Sequence, residues 1–188
     1  MTPHHSSVQY PGGLRARYRW SGPSGVDAFG PTEATGALND LGPIATDASD
    51  SLCRAELRAE GPLGEWTVRF ASPIFDEPRG VYWDVPGLLV VAYGFTVYAL
   101  RARSGELAWS WRSGTPIVAI LASSRLDHLL AQSEVETVAL DANGASVWRV
   151  AHSDVVAEAE IVGGSLVLTS FGGQHQVLDP ATGIGRTA

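Results

Sequence analysis

Lysine is absent from the 188-residue chain, and cysteine occurs only once, at Cys53. A single cysteine excludes an intramolecular disulfide and falls short of the about four Cys and His ligands of a structural zinc site. Basic residues are also outnumbered, because 13 arginines face 20 Asp and Glu and the net charge is −7. Nucleic-acid binding requires a clustered basic face, so we expect no nucleic-acid partner.

Long apolar stretches are missing as well. The strongest run, Gly87 to Ala92, has about six residues, whereas a helix that crosses a bilayer needs ~20. This run predicts a buried strand and no membrane association. The N-terminus lacks the ~7–15 apolar residues of a signal peptide, so we expect a soluble, cytoplasmic protein. His4 and His5 have no carboxylate at ligand spacing, which favours a mobile terminus over a metal site.

Sustained helical periodicity is scarce, and the texture of the chain changes near residue 50. Residues 21–51 are rich in Gly, Pro, Ser, Asp and Thr without a regular period, so we interpret residues 1–51 as an irregular N-terminal arm. Residues 52–188 alternate short apolar runs with turn residues, which predicts an all-β fold. The segment from Pro116 to Leu130 is rich in β-branched residues and interrupted by a polar break, which predicts two strands joined by a turn.

An internal repeat begins at Leu88, Leu129 and Leu166. Each copy has an apolar strand, a short turn, a second strand ending in Leu and a polar turn ending in Gly. The corresponding residues recur every 38 to 40 positions: Leu100, Leu140 and Leu178; Gly105, Gly144 and Gly183; Trp109 and Trp148. A period near 40 indicates stacked units of one type, because a single unit cannot cover its own apolar face. We interpret the unit as a four-stranded antiparallel sheet.

The polar turns explain why glycine recurs. Each places Ser, Asp or Asn ahead of a Gly that adopts positive φ without steric cost, as a tight hairpin requires. The Trp that follows four residues later lies on the next strand and points inward. We expect these tryptophans to fill the wedge between neighbouring sheets, where an indole buries some 200 Å².

Two strings, TVYALRARSGELAWSW and TVALDANGASVWRV, resemble the repeat of PQQ-like, or quinoprotein-type, β-propellers, whose core reads Val-Tyr-Ala-Leu-Asp-Ala-x-x-Gly-x-x-x-Trp. Residues 97–109 match this core with Arg101 in place of the usual Asp, and residues 138–148 match it more fully. The third copy, 177–183, ends before its Trp strand. The resemblance covers residues 61–188 and implies a β-propeller-like array of about three to four blades. It does not specify function, because enzymes and interaction scaffolds share this repeat.

The sequence does not decide how the ring closes, because it contains about three to four repeats and propellers have ~4–8 blades. Residues 61–70 are interpreted as the end of a preceding blade. A small ring is one alternative, in which residues 14–70 supply the missing sheet, with Arg15–Trp20 or the Trp66 strand as the closing strand. An open arc that dimerises into a full ring is the second alternative. An arc that another protein caps is the third.

Catalytic motifs are weak throughout the chain. The resemblance implies that a quinone enzyme needs a longer ring, a calcium-binding set and usually a vicinal cysteine pair, so we expect no cofactor and no enzyme. Ser165 is outside a G-x-S-x-G elbow, and Cys53 lies in an alternating strand. A possible acid and base, His152 and Asp154, flank Ser153, and His175 is predicted in a hairpin turn. Acidic side chains two apart or adjacent are predicted to be solvent-facing, although they also suit a ligand or acid–base site: Asp76 and Glu77, Glu134 and Glu136, Glu158 and Glu160.

Aromatic residues exceed what one small sheet requires, and such residues are enriched at protein interfaces. The candidate interaction surface consists of Tyr93, Phe95, Trp111, Trp83 and Phe171. We therefore predict a non-catalytic scaffold that binds another protein, or that associates with itself to complete a ring. The alternatives are a ligand-binding or carbohydrate-binding, even hydrolytic, propeller that uses the acidic pairs, and a structural subunit of a larger assembly.

Overall fold

The computed structural model describes residues 4–23, 37–41, 52–62 and 64–186. Within them the chain forms sixteen strands in four sheets and a short 3-10 turn at Pro11–Gly13. The first sheet has the order β1-β2-β4-β5-β3, in which only β3 and β5 are parallel. Its strands are β1 His4–Gln9, β2 Arg15–Ser21, β3 Ala37–Leu41, β4 Cys53–Gly61 and β5 Gly64–Ser72.

The next three sheets are antiparallel meanders that follow the chain in order. The second sheet contains β6 Arg79–Trp83, β7 Leu88–Tyr93, β8 Thr96–Arg101 and β9 Leu107–Arg112. The third contains β10 Ile117–Leu121, β11 Leu129–Ser133, β12 Glu136–Leu140 and β13 Ser146–Ala151. The fourth contains β14 Val156–Val162, β15 Ser165–Ser170 and β16 His175–Leu178, followed by a single bridge between Leu178 and Gly185.

Three apolar cores join successive sheets. The first core lies between the first and second sheets, the second between the second and third, and the third between the third and fourth. Among the residues that the structure describes, no apolar cluster joins the fourth sheet to the first. The four sheets form a propeller-type array, and the predicted all-β class is confirmed.

The N-terminal region is more regular than the predicted arm. Arg15–Ser21 pairs with β1 and β4 within the first sheet, and the Trp66 strand pairs with β4 in that same sheet, so neither strand completes the last sheet. Alternate residues of β2 are buried against the second sheet, among them Tyr18. Most of the irregular stretch predicted at residues 21–51 lies outside the described residues.

Tryptophan and glycine form the joint between neighbouring sheets, as the repeat predicted. The backbone at Gly144 has φ +82°, and a Cβ there would lie 2.8 Å from Cδ2 of Trp109. The same packing brings Trp66 against Gly105 and Trp148 against Gly183. Each of these glycines therefore meets two requirements, a left-handed turn and close approach of an indole ring.

The indole N–H groups separate the joints into two kinds. Trp66 Nε1 donates to the carbonyl of Ala102 at 3.0 Å, and Trp109 Nε1 donates to that of Ala142 at 2.9 Å. At the last joint, the corresponding carbonyl of Pro180 instead contacts His128 Nε2 at 2.8 Å. Trp148 Nε1 is buried and has no hydrogen-bond partner among the described residues.

The outward face of the fourth sheet differs in chemistry from the equivalent face of the second sheet. Both sheets share one register, so Glu160 corresponds to Val81 and Ser165 to Leu88. His175 corresponds in the same way to the buried Val97. Polar residues at these three positions lower the cost of exposing this face to water.

None of the described residues belongs to a helix long and apolar enough to cross a membrane.

Candidate functional site

The array has two faces, which we name from what they contain. The groove face is formed by hairpin turns 94–95, 134–135 and 171–174 and by connections 73–78, 113–116 and 152–155. The joint face is formed by the opposite connections, 84–87, 102–106, 122–128, 141–145, 163–164 and 179–183. This division follows from the antiparallel course of the strands, which return to the same face at every second turn.

An open groove of about 310 Å³ crosses the groove face from the second sheet to the fourth. Phe75, 54% exposed, lies in the connection before β6, and Phe171, 77% exposed, lies in the last hairpin turn. Between them the third sheet contributes the start of β10. The full lining is Ile74, Phe75, Asp76, Arg79, Pro116, Ile117, Val118, Glu134, Val156, Ala157 and Phe171.

Backbone hydrogen bonds between the sheets and within the fourth sheet hold the groove in shape. Ile117 N donates to the carbonyl of Gly94 at 2.8 Å, which ties the third sheet to the second. Val156 N donates to the carbonyl of Glu134 at 2.7 Å, and Phe171 N donates to that of Val155 at 2.9 Å. The groove is therefore largely preformed, which lowers the entropic cost of binding.

Charge in the groove is unevenly compensated. Arg79 Nη1 lies 3.0 Å from both carboxylate oxygens of Asp76, so these two charges neutralise each other. Glu134 is half-buried, and its carboxylate has neither an ion pair nor a hydrogen bond among the described residues. The groove thus presents apolar surface with one uncompensated negative charge.

A polar cleft of about 340 Å³ adjoins the groove and shares Val156 with it. Its central residue is the half-buried His152, whose Nε2 lies 2.7 Å from Thr137 Oγ1 and whose Nδ1 lies 3.0 Å from Gln176 Oε1. Thr137 in turn donates to the buried Gln132 at 2.5 Å. This chain of hydrogen bonds links the third sheet to β16 of the fourth.

The hydrogen-bond chain fixes the tautomer of His152. Gln132 Nε2 donates to two backbone carbonyls, so its Oε1 is left to accept the Thr137 hydroxyl proton. Thr137 Oγ1 then accepts from His152 Nε2, and Nδ1 becomes the nitrogen that titrates. Burial lowers the pKa of His152, while the contact with Gln176 and the charge of Glu136 partly offset this effect.

The acid–base dyad considered from the sequence is not assembled. Asp154 Oδ1 accepts the backbone N–H of Val155 at 2.8 Å, and His152 makes its contacts to Thr137 and Gln176 instead. His175 begins β16 and does not lie in the preceding turn. The histidine and the carboxylate border one cleft without contacting each other.

Two of the five aromatic residues selected from the sequence belong to the core. Tyr93 is 1% exposed and Trp83 is 3% exposed, because each faces a neighbouring sheet, so a partner does not reach either ring. Phe95 is half-buried, with the Arg112 guanidinium 5.5 Å from its ring centre. Trp111 is half-buried and packs against the second core. Of the five, only Phe171 lines the groove.

Sequence reasoning missed Phe75 and Glu134 as members of one site. Phe75 lies in a loop outside the repeat, and the sequence places Glu134 only in an acidic pair with Glu136. Phe75 and Glu134 line the same groove because the second and third sheets pack against each other. The spacing of residues along the sequence does not reveal this packing. The available signal was an apolar residue at the corresponding hairpin turn of each repeat: Phe95, Val135 and Phe171.

The other candidate catalytic and ligand-binding side chains lie in separate parts of the structure. Ser165 Oγ accepts from Arg186 Nη1 at 3.0 Å, and burial raises the pKa of the Cys53 thiol. Glu136 pairs with Arg149 at 3.0 Å. Glu158 and Glu160 are exposed on β14. The described part of the chain contains no group of three or more His, Cys, Asp or Glu side chains that would hold a metal ion.

A larger cavity, about 560 Å³, opens on the joint face between the first and second sheets. Glycines and prolines of three turns, 11–13, 61–64 and 84–87, make up much of its lining. Its larger apolar side chains, Leu14 and Tyr82, pack against the first core. The cavity is therefore bordered mostly by backbone and lacks the protruding aromatic rings of the groove.

Comparison with solved structures agrees with the fold. BamB from Moraxella catarrhalis is 18% identical with a TM-score of 0.51, over 78% of this chain and 48% of that one. The Pan2 WD40 domain of Neurospora crassa is 19% identical with a TM-score of 0.50, over 72% and 45%. BBS1N in complex with ARL6DN is 15% identical with a TM-score of 0.52, over 73% and 48%. The chain thus spans about half the length of these structures.

These similarities show a β-propeller-type fold and, at such low identity, nothing beyond the fold. No protein-family model matches the chain, and no curated protein matches it. The PQQ-like repeat therefore stays a resemblance, whereas the propeller-type array of sheets is a property of the structure.

Proposed function

We propose that the protein is a non-catalytic interaction module that binds another protein through the groove face. The observation that carries this proposal is the pair of exposed rings, Phe75 and Phe171, at a groove lined by further apolar side chains. Contiguous apolar surface of this kind marks binding sites in soluble proteins, whereas scattered apolar residues are ordinary. The exposed valines of the joint-face turns, Val85 for example, are of the scattered kind.

Rigidity of the groove supports a role in recognition. The hydrogen bonds from Ile117 and Val156 fix three sheets relative to one another, and the one from Phe171 fixes the last hairpin turn. A partner therefore meets a prepared surface and does not have to order it. Propeller-type structures that resemble this chain include BBS1N, solved in complex with ARL6DN, which is consistent with a protein partner.

The positions of the chemically active side chains support a non-catalytic role. The Ser165 hydroxyl is bonded to Arg186, and the Cys53 thiol is buried with a raised pKa. His152 is directed at Thr137 and Gln176. Nucleophilic catalysis needs a nucleophile and a base within hydrogen-bond reach of each other, and these three groups lie in different parts of the array.

The two other functions considered from the sequence have weaker support. A ligand site built on acidic pairs requires converging carboxylates, yet Asp76 and Glu136 are ion-paired and Glu158 and Glu160 point to solvent. Self-association into a ring, or assembly as a structural subunit, requires sheet faces that pack together. The outward face of the fourth sheet carries polar residues at the core positions of the second sheet.

Affinity capture with matched variants tests the proposal. The bait is the tagged protein in extracts of the organism that makes it, and enrichment is measured by quantitative mass spectrometry. We expect a protein enriched by the wild type to be lost with Phe75→Ala/Phe171→Ala. It should be retained with Val85→Ser/Val162→Ser, which changes two exposed valines away from the groove. Equal enrichment by all three baits, or no specific enrichment, would contradict the proposal.

A further inference from the structure

We infer that the segment bound in the groove presents a basic side chain, arginine or lysine, beside an apolar anchor. This inference rests on the proposed function and adds the chemistry of the partner. Its basis is Glu134, the one groove-lining carboxylate without an ion pair among the described residues. Asp76, the other carboxylate of the lining, is already neutralised by Arg79.

Desolvation explains why the partner must supply a positive charge. Glu134 is half-buried before binding, and an apolar segment laid in the groove removes much of its remaining water. An ionised carboxylate that is buried without a partner loses its hydration without compensation, which would weaken binding severely. A cation on the bound segment compensates this cost, so the groove selects against purely apolar ligands.

Other groups near Glu134 also favour a positive charge on the bound segment. Asp154, in the adjoining cleft, bonds only to backbone among the described residues and has no ion pair. The exposed ring of Phe171 offers a face over which a cation is attracted. Of the arginines near the groove, Arg79 is paired with Asp76 and Arg112 lies over Phe95, so neither neutralises Glu134. The whole chain, at −7, attracts a basic segment at long range.

A random dodecapeptide library displayed on phage provides the probe. Selection uses the full-length wild-type protein, with prior depletion on Phe75→Ala/Phe171→Ala so that only groove-dependent peptides remain. We expect the enriched peptides to contain Arg or Lys within two positions of Phe, Trp, Leu, Ile or Met. Circular dichroism and thermal unfolding confirm that each variant is folded.

A double-mutant cycle then tests the pairing. The strongest peptide and its version with the basic residue changed to Gln are each titrated against wild type and Glu134→Gln. We expect Glu134→Gln to weaken the original peptide by about 10-fold or more, the scale of a hydrogen bond to a charged group. With the changed peptide, the two proteins should bind alike. Glu77→Gln, which alters an exposed neighbour outside the lining, is the matched control and should leave both affinities within about twofold.

The outcomes separate this inference from the proposed function. Groove-dependent peptides without basic residues, or peptides indifferent to Glu134→Gln, would overturn the inference and leave the interaction groove standing. The absence of any peptide that depends on Phe75 and Phe171 would count against the interaction groove itself.

Discussion

The joint face and the groove face are built from the same repeats, yet one is occupied by packing contacts and the other leaves aromatic rings exposed. On the joint face, Gly105, Gly144 and Gly183 each accommodate an indole ring of the preceding sheet, so these three turns hold the array together. On the groove face, the turns leave Phe75 and Phe171 exposed across a preformed groove. The periodic residues therefore maintain the scaffold, whereas residues that vary between repeats remain exposed at the groove.

Removing one aromatic ring from each face should give the largest difference in stability between the two faces. We expect Trp109→Ala to lower the free energy of unfolding by about 3–5 kcal/mol, because a buried indole and its bond to Ala142 are lost. Phe171→Ala should change it by no more than about 0.5 kcal/mol. Trp111→Ala, at a half-buried ring, should fall between them. Urea denaturation measures all three, and a large loss with Phe171→Ala would show that this ring stabilises the fold.

Two glycines with the same φ separate the cost of crowding an indole ring from the cost of the left-handed backbone conformation. Gly144 and Gly164 both have φ +82°, but only at Gly144 would a Cβ meet an indole. We expect Gly164→Ala to cost about 1–2 kcal/mol for the left-handed backbone. Gly144→Ala should cost about 1–3 kcal/mol more, because Trp109 must shift. Equal losses in thermal unfolding would contradict the proposed role of this glycine in the joint.

The next prediction concerns the last joint, where the indole N–H of Trp148 has no hydrogen-bond partner among the described residues. Trp109→Phe removes the hydrogen bond to Ala142, whereas Trp148→Phe removes an N–H group without a partner among the described residues. We therefore expect Trp109→Phe to be more destabilising than Trp148→Phe by about 1 kcal/mol. Equal losses would indicate that the Trp148 N–H is hydrogen-bonded in solution and that the two joints are alike, which would contradict this prediction.

The smallest effect is a pH dependence on the groove face. Burial lowers the pKa of His152 in the folded state, so the unfolded chain takes up the proton first as the pH falls. The stability held with neutral His152 is therefore present above roughly pH 6.5 and is lost as the pH falls below it. We expect His152→Gln to reduce the difference in stability between pH 7.5 and pH 5. An identical pH dependence in wild type and variant would mean that His152 does not contribute.

The scaffold was largely predictable from the sequence, and the groove was not. The spacing of Trp109, Gly144 and Trp148 reports local packing, because each indole meets the turn of the next repeat. Strand β1 gave no such signal, because most of its side chains are polar and exposed and the pattern of a half-buried strand is missing. Phe75 and Phe171 are almost 100 residues apart, and only the stacking of three sheets places them at one groove.

Burial also explains why the aromatic surface selected from sequence was only partly accessible. Tyr93 and Trp83 have the same composition signal as Phe171, since an aromatic residue at a strand end suits both a core and an interface. Which of the two applies depends on whether another sheet covers the ring. Tyr93 faces the first sheet and Trp83 the third, whereas Phe171 extends from the last hairpin turn.

Photo-crosslinking from single positions tests the central claim, that the groove face is where a protein partner binds. A benzophenone amino acid replaces either Phe171, at the groove, or Val162, which is 50% exposed at the far end of β14. Both versions are irradiated in cells of the organism that makes the protein. We expect a discrete protein adduct from position 171 and none from position 162. Adducts from position 162 alone, or the same adducts in equal yield from both positions, would contradict the account.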